Sequence, residues 1–140
     1  MEEFYEEWDK LTEPALDKLI SNQSNWSALT EREQELAAIW KLEMDMHNGG
    51  FIQFFCNWGH EAYVLALRAL TVIQATEAAR IVQEAYQILV RLEDDTRIKK
   101  LWDIPEFLTK KELWALDALD NAYWEDPSEV MKLTCAYYAR

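Results

Sequence analysis

The sequence has 140 residues, enough for one domain with a substantial core and too few for two of ordinary size. Half of it is apolar, with 7 Trp, 6 Tyr and 5 Phe, which argues against disorder, while 3 Gly and 3 Pro are too few for the turns of an all-β fold. The 26 acidic residues against 14 basic leave a net charge of −12, which repels nucleic acid and anionic lipid; a macromolecular partner, if there is one, should be a basic protein, although acidity also serves solubility alone.

Helical periodicity runs through the chain and no segment alternates as a strand, so the expected fold is all-α: about six to seven helices around a buried central one, with residues 1–140 forming a single domain. A first helix is expected from Glu2 to about Ile20, interrupted at Pro14, with Thr12 capping the part that follows. Glu2, Glu6, Asp9 and Glu13 fall on one stripe of it, with Glu3 and Glu7 alongside. Carboxylates at that spacing repel by about a few tenths of a kcal/mol per pair, and the helix dipole compensates only those in the first turn. The stretch SNQSNWS reads as a loop. Thr30 and Glu33 form a capping box for a helix to about His47, with Leu36, Ile39, Trp40, Met44 and His47 on one face.

Asn48, Gly49 and Gly50 stop that helix, since these residues tolerate left-handed backbone. Phe51, Phe54, Phe55 and Trp58 then make a short aromatic helix to about Gly59. From His60 to about Ala75 the chain is apolar nearly all round, which predicts the central buried helix there. Thr76 is expected to cap the next helix, with Ala78, Ile81, Val82, Ala85, Leu89 and Leu92 inward. Pro105 marks a loop after the charged run Glu93-Asp94-Asp95-Thr96-Arg97, whose acids sit at a helix C-terminus against the dipole or in a solvated loop. A second capping box, Thr109 with Glu112, opens a helix to about Tyr123. Its face bearing Trp114, Asp117, Asn121 and Trp124 reads either as a partner-binding patch or as one more buried side. Asp126-Pro127 caps a last helix with Val130, Leu133, Thr134 and Tyr137 inward.

Charge is uneven along this order. Residues 1–13 carry six acids against Lys10, residues 14–48 six against three bases, and residues 93–140 eleven against seven, while residues 49–92 carry three of each. The neutral middle reads as scaffold and both ends as acidic exterior. The acidic start lacks the basic-then-apolar order of a signal peptide, and no apolar run reaches the length of a membrane span, so the cytoplasm is expected. Cys56 and Cys135, far apart and without a CxxC pair, read as buried thiols in a reducing compartment.

Chemistry needs convergent polar groups, and the one candidate set is Glu43, His47 and His60, a carboxylate and two imidazoles able to hold a metal if the glycine break brings them together. The rival reading makes His47 a buried, hydrogen-bonded continuation of an apolar stripe. No phosphate-binding, dinucleotide-binding or nucleophile-elbow motif occurs, so neither a cofactor nor catalysis is expected.

Asn48-Gly49-Gly50-Phe51 followed by Gln53-Phe54-Phe55 and Asn57 resembles the NGGF-x-Q-[YF]-F-x-N signature of a bacterial family long labelled a domain of unknown function, which includes a DNA-mimic protein. The capped helix before the signature, the Ala-rich helices after Gly59 and Leu119-Asp120-x-x-Tyr123 extend the resemblance over about 28–140, leaving 1–27 as an acidic helical extension. The resemblance implies an all-helical fold and no known catalytic activity; in the family's DNA-mimic member, surface carboxylates occupy the DNA-binding face of a repressor, and those carboxylates are not part of the shared signature. The signature itself reads as structural: its aromatics supply packing and its glycines backbone geometry. The acids expected to meet a partner come from this sequence alone: Glu2, Glu3, Glu6, Glu7, Asp9, Glu13, Glu93, Asp94, Asp95, Asp117 and Asp120. Three functions stay open: blockade of a basic DNA-binding protein, neutralisation of a basic nuclease-type toxin, and a metal protein or enzyme using Glu43, His47 and His60. A homodimer is also open.

Overall fold

Two capping boxes frame the chain, and both helices they open begin where the sequence places them. In the computed structural model, which describes residues 2–126 and 129–139 and side chains from Tyr5 onward, every regular element among those residues is a helix. Thr30 and Glu33 exchange side-chain-to-backbone bonds to start α2 (Glu31–Asn48), and Thr109 and Glu112 do the same for α5 (Lys110–Glu125).

The first helix, α1 (Glu2–Ser21), runs through Pro14 instead of breaking there. A proline inside a helix deletes one amide donor and crowds the carbonyl four residues back. Pro14 and Lys10 are both exposed, so water can serve that carbonyl. Lateral packing does the rest: Trp8, Thr12, Ala15 and Leu19, at i, i+4, i+7 and i+11, are all buried, and α1 lies against α2 and α6 (Val130–Tyr138). Thr12 is therefore no cap; its hydroxyl donates to the Trp8 carbonyl at 2.8 Å. Part of the expected loop is also ordered, as a 3-10 turn over Trp26–Ala28 capped by Asn25, with Trp26 buried.

The central helix is α2, not the 60–75 stretch. Glu35 to Ile39, Leu42, Glu43, Asp45 and Met46 are buried on nearly all sides of α2, whereas Glu61, Val64 and Thr71 leave an exposed side on α3 (Gly50–Val72). Alanine-rich α3 packs along α2, and the break at Gly59, with φ 76° and ψ −162°, divides it into the aromatic segment and the longer one after it. Phe51, Phe54 and Phe55 are fully buried; Phe51 stacks on Phe55 at 5.7 Å and meets Tyr123 edge-on at 5.9 Å.

The expected stripe of α4 (Thr76–Leu89) is buried as read, though Ala75, with no capping side chain, holds the cap position instead of Thr76. Residues 90–108 are 3-10 turns and loop, with Pro105 inside the turn Leu101–Phe107, which packs on α3. In α6 the inward residues are Val130, Thr134, Cys135 and Tyr138, while Tyr137 is exposed; Tyr138 is drawn in because its hydroxyl donates to buried Glu35 at 2.7 Å. Pro127 lies outside the described residues, and Glu129 precedes α6 with left-handed backbone.

Candidate functional site

Residues 48–57 form the junction of α2 and α3, clasped from α5. Gly49 ends α2, and Gly50, with φ +79°, starts α3 in backbone geometry that side chains disfavour. The Phe51 amide, left without a helical partner at the new N-terminus, donates to the Asp120 carboxylate at 2.9 Å. A Cβ on Gly50 would stand 2.6 Å from Cγ of Asp120, so the clasp and the glycine require each other. Asp120, one of the acids expected to meet a partner, is thus tied to the turn and half-buried. Burial pushes its carboxyl from 3.8 up to about 6; the Phe51 amide works against that rise, and the Asp117 charge adds to it.

Three carboxylates of α2 point inward, and each is met by donors from neighbouring helices. Glu35 takes Arg68 Nε at 2.7 Å and the Tyr138 hydroxyl at 2.7 Å. Asp45 takes Gln53 Nε2 at 2.7 Å and Trp58 Nε1 at 2.8 Å, with Asn57 Nδ2 at 3.5 Å. Lys41 Nζ lies 3.3 Å above the Trp58 ring, and burial holds its ammonium down at about 8 despite the opposing charge of Asp45. Gln53 and Asn57 therefore serve a buried acid. Glu43, 5% exposed, accepts from the Tyr123 hydroxyl at 2.5 Å. Desolvation raises its carboxyl and that of the equally buried Tyr123 phenol, with the Tyr123 bond and the His47 charge opposing the rise at Glu43 and Asp126 adding to it.

The metal trio does not converge. Glu43 and His47 line one cleft of about 240 Å³ with Tyr123 and Trp124, whereas His60 lines another of about 330 Å³ with Tyr86 and Glu93. His47 is exposed rather than buried, because the last turn of α2 runs out to the cleft mouth. Among the described residues no group of three or more His, Cys, Asp or Glu is placed to hold a metal. Cys56 and Cys135 are buried free thiols, pushed up by desolvation to about 11.

Among the remaining acids, position on the surface separates the spoken-for from the available. Glu93 accepts from the Tyr86 hydroxyl at 2.6 Å, and Asp95 pairs with Arg97 at 2.6 Å, which holds its carboxyl down at about 2; Asp94 alone of the triplet is exposed with neither a hydrogen bond nor an ion pair to its side chain among the described residues. Glu2 and Glu3 lie outside the described side chains. Glu7 is exposed toward α6, where its charge raises the Cys135 thiol behind desolvation. Glu6, Asp9 and Glu13 share one exposed stripe and form no salt bridge among the described residues, and because α1 does not stop at Pro14 the stripe continues to exposed Asp17. Asp17 was missed by taking Pro14 as a break, although the step of four from Glu13 signals it. On α5, Trp114, Asp117, Asn121 and Trp124 are exposed, which decides against that face being buried.

Helical architecture, an interior of clasped acids and an exterior stripe of acids without salt bridges among the described residues define a small acidic all-α protein. The chain belongs to the DMP19-like protein family, whose match covers residues 27–140, and this is not a family known for enzymes. No curated protein and no solved structure matches the chain. No helix among the described residues is long and apolar enough to cross a membrane.

Two outcomes follow from the clasped turn. Gly50→Ala is expected to destabilise by about 1–3 kcal/mol or more, read by urea unfolding, from strain at positive φ and collision with Asp120. Gly49→Ala, at φ −135°, escapes that backbone strain but would press on the Gln53 side chain, whose Cβ stands 3.0 Å away, and is expected to cost less than Gly50→Ala. The second outcome concerns pH. Because the folded chain binds the Asp120 proton more tightly than the unfolded chain, stability from this group is fully present below about pH 4 and is lost as pH rises through about 6. Asp120→Asn can still accept from Phe51 and does not titrate, so its Tm relative to the parent is expected to rise between those pH values.

Proposed function

We propose that the chain is a protein-binding module that presents the α1 carboxylates to the basic surface of a partner, in the manner of a DNA mimic. One observation carries this reading: Glu6, Asp9, Glu13 and Asp17 form an exposed stripe without salt bridges among the described residues, on a helix anchored by Trp8, Thr12, Ala15 and Leu19. Elsewhere basic side chains neutralise acids in pairs such as Lys18–Glu33, Arg91–Glu112 and Arg97–Asp95, so the stripe is charge that the fold does not use. It repeats once per turn, about every 5.4 Å, against one phosphate per 3.4 Å along a DNA strand, so its line of charge is about two-thirds as dense. Exposed Lys10 beside it offsets part of that.

A rigid helix presents these charges at little entropic cost on binding, and like-charged neighbours are relieved when a cationic surface meets them. The α1 residues precede the family match at 27–140, so the stripe lies outside the matched domain. Membership in a family that is not known for enzymes supports binding over catalysis.

The test is competition. Proteins captured from a lysate on the immobilised chain are challenged with double-stranded DNA and with salt, and the captured partner is then titrated with the parent and with a variant carrying Glu6→Gln, Asp9→Asn, Glu13→Gln and Asp17→Asn. Expected are displacement by DNA, release by about 0.5 M NaCl, a loss of affinity of about tenfold or more in the variant, and a flatter salt dependence. A variant that binds like the parent, or capture indifferent to salt, removes the reading. A captured nuclease whose activity is blocked would turn the same surface to toxin neutralisation.

A further inference from the structure

The outward face of α5 carries Trp114, Asp117, Ala118, Asn121, Trp124 and Glu125, all exposed. Trp114 is 70% and Trp124 48% exposed, and Trp114 has no hydrogen-bond, ring or ion contact among the described residues. Ten residues along one helix put them about 15 Å apart. Trp114 stands in water on this face, and Trp124, whose indole donates to the Met46 carbonyl at 2.7 Å, still leaves about half its surface exposed beside it; together they mark a contact surface, since large aromatic area is what interfaces bury.

What covers this face is written in its charges. Lys110 and Lys111 stand at its start, Asp117 lies between the tryptophans and Glu125 at its end, and none of the four has an ion-pair partner among the described residues. A uniformly basic partner would meet the lysines charge to charge. A second copy of the same helix, laid antiparallel, would not. With a two-fold axis near residue 119, Trp114 of one chain lies beside Trp124 of the other. Asp117 then stands across from Asn121, and the lysine pair comes within reach of Glu125. Ala118, near the axis, lets the two backbones approach. Each contact occurs twice, as two-fold symmetry demands.

We infer that α5 is the two-fold interface of a homodimer, in which each chain covers the other's tryptophans. One helix pair buries less than the roughly 800 Å² per chain of a stable interface, and two chains of net charge −12 repel, so association at roughly tens to hundreds of micromolar is expected. The inference does not use the α1 stripe and stands apart from the proposed function.

Sedimentation velocity on the full chain, from about 5 to about 500 µM at physiological salt, reads it directly. The weight-average mass is expected to climb from the chain mass of 16.6 kDa toward twice that value. Trp114→Ala should move the midpoint to about tenfold higher concentration or beyond. Lys111→Glu and Glu125→Lys should each weaken association, and the two together should restore it, since the pair re-forms with its signs exchanged. All these positions are exposed, so folding is not at stake. A mass that stays at 16.6 kDa throughout, or a double exchange that fails to restore what the single changes lose, overturns the dimer. So does a Trp114→Ala chain that keeps its mass profile but no longer holds a basic partner, which would give the face to that partner.

Discussion

The arrangement turns on burying three carboxylates in one helix. An ionised carboxyl taken from water without partners costs many kcal/mol, so Glu35, Glu43 and Asp45 can occupy the inside of α2 only where donors meet them. Those donors come from different directions: Arg68, Gln53 and Trp58 from α3, Tyr123 from α5 and Tyr138 from α6. No single neighbour satisfies α2, and each neighbour is placed by the bond it supplies as much as by the apolar contact around it. The glycine turn extends the same logic to the α2–α3 junction, where Asp120 holds the first free amide of α3.

This constraint sorts the acids of a strongly acidic chain. Those inside are structural, and several outside are consumed by capping boxes or by arginines, as at Glu33, Glu112 and Asp95. What remains for the proposed recognition is the charge that folding leaves unspent, and an ordered run of it lies along α1. Trp8 and Leu19 hold that helix by its other side, so the carboxylates face solvent from a fixed platform. Stability and the proposed recognition thus draw on separate residues of one composition.

Local signals in the sequence were legible where the physics is local. The two Thr-x-x-Glu boxes, the glycine stop, the aromatic cluster at 51–55 and the α4 stripe required no tertiary knowledge. The identity of the central helix did not follow, because α2 looks amphipathic and charged until its donors, up to 103 residues away, are seen. Net charge by segment misled for the same reason: it counts Glu35, Glu43 and Asp45 as exterior. Pro14 misled because a proline's effect depends on whether the freed carbonyl is wet and the helix laterally held. Asp117 and Asp120 lie three residues apart on α5, yet one is free and the other clasped, a difference set by where the glycine turn comes to rest.

The division of the acids into interior and exterior sets is tested most directly by thermal unfolding of two charge-matched variants. One carries Glu6→Ala, Asp9→Ala and Glu13→Ala; the other carries Glu35→Ala, Glu43→Ala and Asp45→Ala. Alanine favours helix, so neither variant suffers through propensity. Each orphaned donor group costs about 1–3 kcal/mol, so the α2 variant should melt lower by about 10 °C or more, or fail to fold. The α1 variant, relieved of repulsion, should melt no lower than the parent. Equal losses in the two variants, or an α2 variant as stable as the parent, would contradict the account.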